Sequence, residues 1–532
     1  MTTESSPTVL ISGAGPTGLT AALELRRFGI PVRLIDAMDG PSPTSRAIGI
    51  QARTLEELEL RGLADEFVRL GNAARGAVVF GGGKQLFRAD FTQIESRYNY
   101  LLFLPQSDTE RILRDALAKE GTKVEFGMKM IAFAQNGEGV TATLEHMDGR
   151  LEEVSASYLI SAEGAHSIIR TSLGLPFKGT AFDQYFALGD LHADGELPDS
   201  DLYIFSSEMG FMGMFPMGGS HFRLIAGYPH GNLPEGNGPT LTDLQAIYDE
   251  RSHIPARLRQ LAWSSWFHIN SRMVEKLKVG RVFLGGDAAH IHSPAGAQGM
   301  NAGIQDMMNL GWKLALALKG MAPEELLDSY ERDRIPVMRA ILGETERVTE
   351  LVATENKLLR SLFYHLAPWV GGFSFVEENA VARISQLSLN YRDSSLSADY
   401  GAAGNLRAGD RVPELKLQAA IDQGRYEERR LFNLLSPSRF TLLLANFPDS
   451  ATQEDQLTHA IVHWRELIAI VRVQPAEGEE KQKYHEHFGS LPSLALIRPD
   501  QHVAWRGDGL SCSAKEVLEV VTGARLPAHA IS

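Results

Sequence analysis

The strongest constraint on this chain lies at its start, where Gly13-Ala-Gly-Pro-Thr-Gly18 separates a strand from a helix. Thr8-Val-Leu-Ile-Ser12 is a short apolar strand, and Leu19 to Phe28 places Ala21, Ala22, Leu25 and Phe28 on one helical face. Gly29 ends that helix, and Val32-Arg-Leu-Ile-Asp36 is the next strand. A strand–helix–strand opening of this kind predicts a parallel sheet covered by helices. The three glycines of the turn then differ in what they allow. Gly13 permits the tight turn, Gly15 lets backbone approach a pyrophosphate, and Gly18 lets helix and strand pack closely. The helix N-terminus supplies amide donors and a positive dipole to phosphates. Asp36 ends the second strand 23 residues after Gly13, where a carboxylate can accept from a ribose hydroxyl. The loop predicts a dinucleotide and leaves NAD and FAD both open.

A second strand–loop–helix follows some 270 residues later, in Arg281-Val-Phe-Leu-Gly285 and Gly286-Asp-Ala-Ala-His-Ile-His-Ser-Pro-Ala-Gly-Ala-Gln-Gly-Met-Asn301. Asp287 ends the strand, where it can accept from a polyol. Gly296, Ala297 and Gly299 are small residues where backbone must lie against something flat, and the helix from about Met300 to Lys319 aims free amides at an electron-rich group. Two such loops suit a ligand with a nucleotide at one end and a reactive ring at the other, which describes FAD. His290-x-His292 has no third ligand at a diagnostic spacing, so the pair reads as structural and no metal is expected.

Between and beyond these loops the pattern changes. Val140 to Leu144 and Val154 to Ile160 read as strands around an Asp148-Gly149 hairpin turn, and Tyr185 to Pro229 is strand-rich. Glu324 to Leu366 reads as long helices, and Ala398 to Pro413 as a linker. Alternating signals follow at Phe440 to Ala445, Ile461 to Ile468, Ser493 to Ile497 and Lys515 to Val521, as in a small α/β domain. At 532 residues the chain calls for two or three domains. Its net charge of −14 excludes a general attraction to nucleic acid or anionic membrane. A lone cysteine, Cys512, excludes an internal disulfide and a CxxC redox pair. Met1 to Pro7 shows no secretory signal, and no apolar run reaches the ~18 residues of a membrane span. The expectation is a reduced, cytoplasmic, multidomain protein.

The combination of Gly13-Ala-Gly-Pro-Thr-Gly18, Glu163-Gly164 and Gly286-Asp-Ala-Ala-His290 resembles the class A flavoprotein monooxygenases. Ile497-Arg-Pro-Asp-Gln-His-Val-Ala-Trp-Arg506 is similar to the thioredoxin-like C-terminal domain of their phenol and polyketide hydroxylase branch. The resemblance implies an α/β and α+β fold. A Rossmann-like FAD-binding domain (1–75, 100–178 and 270–350) interleaves with an antiparallel-sheet substrate domain (76–99 and 179–269). A helical connection (351–400) leads to the thioredoxin-like domain (401–532). It also assigns Arg46 to the FAD pyrophosphate, Gln106 to the flavin side of FAD, Asp287 to the ribityl chain, Pro294 to the substrate, and the Met300 and Asn301 amides to the flavin pyrimidine. The family has Asp-Gly where this chain has Glu163-Gly164, which bears on nicotinamide handling. With one cysteine, the C-terminal domain reads as a structural or oligomerisation module.

The function implied is hydroxylation of an aromatic ring by FAD, NADH or NADPH, and O2, through a flavin C4a-hydroperoxide. Neither a G-x-S-x-G nor an H-E-x-x-H motif is present, and no general base stands out. A halogenase on the same fold needs Trp-x-Trp-x-Ile-Pro, and Trp263-Ser-Ser-Trp-Phe-His-Ile269 has neither the spacing nor the proline. The alternatives left open are a flavin-dependent halogenase despite that mismatch, a non-oxygenating reductase on the same fold, and a flavoprotein that sequesters an aromatic ligand. Met209-Gly-Phe-Met-Gly-Met-Phe-Pro-Met217 reads as a strand apolar on both faces and so buried on both. Its Phe211, Gly213 and Phe215 face is the candidate wall of a cavity for a bulky aromatic or polyketide-like molecule.

Overall fold

A computed structural model describes residues 8–42, 45, 47–207, 210–228, 236, 238–292, 297–353, 385–401, 403–422, 424–447, 464, 466–508 and 514–522. Val9–Ser12 lies inside a six-stranded sheet, parallel to Tyr158–Ser161 on one side and Val32–Asp36 on the other. Val282–Leu284 adds in parallel beyond Tyr158–Ser161, so the two strands that lead into the two glycine-rich loops are separated by a single strand. Every residue of Val9–Ser12, Tyr158–Ser161 and Val282–Leu284 is buried, as parallel strands covered on both faces require. The first helix runs Pro16–Arg27, three residues earlier than its apolar spacing predicts. Pro16 is compatible with that start because the first helical position needs no N–H.

The second layer is an eight-stranded sheet in the order His290–Ile291, Ala256–Met273, Lys178–Gly195, His221–Tyr228, Gly210–Gly218, Asp201–Ser207, Gly76–Gly81, Lys84–Asp90. One face buries Met212, Met214, Phe205, Leu224 and Ala226 with Leu244, Ile247 and Tyr248 of the Leu241–Arg251 helix. The opposite face turns Ile204, Phe215 and Met217 toward the core of the parallel sheet. A seven-stranded sheet forms the C-terminal part, with Phe440–Ala445 and Ser493–Ile497 fully buried in it. It docks on the Gly299–Leu318 helix, where Trp312 meets Phe440 edge-on at 5.3 Å between ring centroids.

Three expectations need correction. Val154 to Ile160 is two strands: Leu151–Ala156 pairs antiparallel with Val140–His146, whereas Tyr158–Ser161 enters the parallel sheet. The Ser157 N–H donates to the Thr8 carbonyl at the crossover, and a period-two pattern that continues across a change of sheet conceals it. The stretch expected as a linker holds an edge strand, Ala398–Tyr400, parallel to Val503–Asp508, and Gly409 N–H donates to the Val503 carbonyl. The Gly210–Gly218 strand is deeply buried on its Met212 and Met214 face, but Phe211, Phe215 and Met217 on the other are only half-buried. Glu324–Leu327 is a short 3-10 turn before the Asp328–Ala353 helix. Met209, four of the eight residues from Ile461 to Ile468, and Cys512 lie outside the described residues. Among the described residues no helix is long and apolar enough to cross a membrane.

Candidate functional site

The two loops meet at one point. A Cβ built on Gly286 would lie 2.3 Å from Thr17 Oγ1, and one on Gly303 would lie 2.3 Å from the same atom. Thr17 lies in the first turn of the Pro16–Arg27 helix, Gly286 in the second loop and Gly303 in the Gly299–Leu318 helix, so residues some 270 positions apart are packed without room for a side chain. Gly13 has φ +102°, and a Cβ there would fall 2.2 Å from the Ala162 carbonyl oxygen. Gly18 is tighter, its Cβ 1.8 Å from the Gly13 carbonyl oxygen. Gly15 differs: nothing lies within 4 Å of a Cβ there, and the residue is the extended N-cap of the Pro16–Arg27 helix. The turn is therefore closed against the protein at Gly13 and Gly18 and open outward at Gly15, where a phosphate can reach the helix N-terminus.

The acids take distinct places. Asp36 accepts from Ala14 N–H at 2.7 Å and Met38 N–H at 2.9 Å, which fixes its carboxylate beside the first loop. Asp287 is exposed beyond Val282–Leu284, on a turn whose other residues, Gly286 and Ala288, are buried. If Asp287 holds the ribityl chain, as the resemblance implies, its replacement with alanine removes a charge-assisted acceptor and is expected to raise the FAD dissociation constant about tenfold, measured by fluorescence titration. Glu163 faces inward. Its Oε1 accepts from Ser12 Oγ at 2.9 Å, and its Oε2 accepts from Ser167 Oγ at 2.7 Å and Ile169 N–H at 3.1 Å. The longer carboxylate thus ties the end of the first strand to the Ile168–Ser172 helix.

The Gly299–Leu318 helix has no side-chain cap, and its first ladder bond runs from Ala302 N–H to the Gln298 carbonyl, so the Gly299, Met300 and Asn301 amides precede the ladder. The Asn301 side chain accepts from Gln51 N–H at 3.0 Å and donates to the Gly49 and Ala297 carbonyls, which holds the Gly49–Ile50 strand against the loop end. Gln106 is bound to the 45–47 segment: its N–H reaches Ser45 Oγ at 2.6 Å and its Oε1 accepts from Ala47 N–H at 3.1 Å. Arg46 and Pro294 lie outside the described residues. Phe211 and Phe215 lean over Gly213, where a Cβ would be 2.7 Å from Phe215 and 3.3 Å from Phe211. Phe215 touches Phe103 at 5.9 Å between centroids, Phe103 pairs with Gly49, and Gly49 abuts Ala297. That chain of contacts carries the strand to the foot of the second loop.

Two buried groups escaped the sequence reading. Arg223, on the Phe215 side of the sheet, donates to both Asp190 oxygens at 2.7 and 2.8 Å and to the Ser45 carbonyl at 2.7 Å. Asp306 Oδ2 accepts from Gly286 N–H at 3.0 Å and His290 Nε2–H at 2.7 Å, and its Oδ1 from Arg334 Nε–H at 2.7 Å. Burial pushes the Asp306 carboxyl up, but His290 and Arg334 outweigh it and hold it well below the usual carboxylate range. A signal for Asp306 exists: Asn301, Gln305, Asp306, Asn309 and Lys313 form a polar stripe at helical spacing, all buried. Among the described residues no group of three or more possible metal ligands occurs.

Comparison with known proteins adds to this geometry. The FAD binding domain family matches residues 6–345, and the family described as aromatic-ring hydroxylase, C-terminal, matches residues 405–524. The chain is 36% identical over 525 residues to the 6-methylpretetramide 4-monooxygenase of Streptomyces rimosus, covering 94% of this chain and 91% of that one. It is 32% identical over 518 residues to the pentachlorophenol 4-monooxygenase of Sphingobium chlorophenolicum, covering 93% of each. The crystal structure of an aklavinone-11 hydroxylase with FAD and aklavinone superposes with a TM-score of 0.77 at 25% identity, over 98% of this chain and 100% of the other.

Proposed function

The chain belongs to the FAD-dependent aromatic-ring monooxygenases, and from that premise we propose that it hydroxylates a bulky, largely apolar aromatic or polyketide-like molecule. The Gly13–Gly18 turn and Asp36 would hold the nucleotide half of FAD, Asp287 the ribityl chain, and the Met300 and Asn301 amides the pyrimidine. The outward opening at Gly15 and the exposed Asp287 fit that assignment. When bound, FAD supplies the redox chemistry between reduced nicotinamide, O2 and the ring. The protein contributes position and field. The N-terminus of the Gly299–Leu318 helix favours negative charge placed before it, and it does so without reorganising. The half-buried phenyl rings of Phe211 and Phe215 exclude water and present an apolar wall. Glu163 is occupied by Ser12, Ser167 and Ile169, so its part is to anchor the strand end rather than to meet a nicotinamide.

The observation that carries the substrate class is the Phe211–Gly213–Phe215 face. Its partner face is core, while this one is half-buried and linked through Phe103 and Gly49 to the second loop. Relatives named for pentachlorophenol and aklavinone support an aromatic substrate. Under 18O2, one labelled oxygen is expected in the product; an unlabelled product would leave only a reductase. Gly213→Leu drives a branched side chain into both phenyl rings. It is expected to cut kcat/KM for multi-ring phenols at least tenfold and for phenol itself less than threefold, with FAD still bound. Equal losses on large and small rings would make the strand core and remove the size argument.

A further inference from the structure

The C-terminal sheet sends one tight hairpin into the flavin domain. Between Ser493–Ile497 and Val503–Asp508, the residues Arg498, Asp500, Gln501 and His502 are each at most 3% exposed, although all are polar. Their partners lie on three helices that carry the site. On the Ala52–Leu60 helix, which follows Gly49–Ile50, Arg53 donates to the Asp500 carbonyl at 2.6 Å and to Gln501 Oε1 at 2.8 Å. On the Gly299–Leu318 helix, Trp312 Nε1–H and Asn309 Nδ2–H both point at Asp500 Oδ2, at 3.3 Å. On the Asp328–Ala353 helix, Asp333 Oδ2 accepts from Arg498 at 2.9 Å and from Lys313 at 2.7 Å.

Arg334, the next residue on that helix, reaches the Gly299–Leu318 helix nearer its start. It donates to Asp306 and, through its Nη1, to the Tyr391 hydroxyl at 2.9 Å. The Tyr391 ring lies against His502 at 4.2 Å between centroids, with the Arg498 guanidinium 4.9 Å over it. Asp306 in turn receives Gly286 N–H, at the start of the turn that presents Asp287, and His290, two residues beyond its end. Buried charges hold one geometry because any displacement leaves an ion uncompensated in low dielectric.

We propose that the 498–502 hairpin is a positioning element for the flavin site: it fixes Asp333 and Tyr391, they fix Arg334, and Arg334 with Asp306 fixes the loop that carries Asp287. This rests on the reading that the loop holds FAD. It gives the C-terminal domain, which has no thiol pair, a role in the site that oligomerisation does not require.

The test uses the full chain. FAD is removed and its rebinding is followed by flavin fluorescence, beside the melting temperature of the apoprotein and the visible spectrum of the reloaded protein. Asp500→Asn, which keeps the shape and removes the charge paired with Arg498, is expected to raise the FAD dissociation constant about tenfold and to shift the flavin band. Tyr391→Phe removes one hydroxyl, keeps the stack, and is expected to raise it about threefold; it serves if Asp500→Asn does not fold. Combined with Asp306→Asn, either variant is expected to cost less than the product of the single losses, because both act on one element. Lowered apoprotein melting with FAD affinity and spectrum unchanged overturns the proposal, and so do losses that multiply. If the unmodified apoprotein takes up no FAD, the reading of the loop falls first and the proposal with it. If it takes up FAD and the variants match it, the proposal alone falls.

Discussion

Gly18→Ala is expected to abolish retention of FAD. The added Cβ would lie 1.8 Å from the Gly13 carbonyl oxygen and 3.3 Å from Ala162 Cβ, and backbone cannot swing aside as the end of a flexible side chain can. The Pro16–Arg27 helix has to move out, and its N-terminal amides move with it. Overpacking of this kind costs about 1–3 kcal/mol in the apoprotein. Losing the aligned amides as well is expected to bring the total loss in FAD affinity to at least about a hundredfold, or ~2.7 kcal/mol. Gly15→Ala separates the two effects. Nothing lies within 4 Å of its Cβ, so the apoprotein melting temperature is expected to stay within a degree or two, while FAD binding falls because the methyl occupies the approach to the helix end. Parent-like FAD affinity in Gly15→Ala would remove the phosphate from that turn.

Asp306→Asn is expected to destabilise the fold more than Gly18→Ala does. It leaves Arg334 buried without its carboxylate and turns the acceptor of Gly286 N–H and His290 into a neutral amide. Breaking a buried pair by removing one partner costs about 3–5 kcal/mol. The folded carboxyl is held below its ordinary value, so the stabilisation is complete above the unfolded-state value of about 3.9 and shrinks as pH falls further. Melting temperatures of parent and variant between pH 7 and pH 3 should therefore run parallel down to about pH 4 and converge below it. A gap that stays constant through pH 3 would mean that shape, and not charge, holds Gly286.

What the sequence displays about this site is whatever is local. Val9–Ser12, the glycine turn, the helix and Asp36 lie within 30 residues, and strand hydrophobicity, turn chemistry and the terminal acid each identify themselves. The second loop is equally compact. The contacts that make a site of them are not local. The polar stripe that holds Asp306 does not say what the carboxylate meets until Arg334 and His290 are brought to it, and Arg223 reads as a strand cation until Asp190 lies opposite it in register. Glu163 looks like a departure from the Asp-Gly pattern because its role depends on Ser12, 151 residues earlier. The Gly210–Gly218 strand misleads for a related reason: both of its faces are apolar, and only packing separates the fully buried Met214 from the half-buried Phe215. Folding back of the chain, not propensity, decides these cases.

The depth of the 498–502 hairpin also orders events during synthesis. Arg53 leaves the ribosome more than 440 residues before Asp500 and Gln501, its partners in the finished protein. At roughly 5–20 residues per second, that is an interval of about 20–90 seconds. Later in it, Asp333 of the Asp328–Ala353 helix waits 165 residues for Arg498, and Trp312 of the Gly299–Leu318 helix waits 128 residues for Phe440. Until the last sheet is made, the buried polar and aromatic partners of these helices are missing, so a nascent flavin domain is expected to be more open to proteases and chaperones than the finished protein.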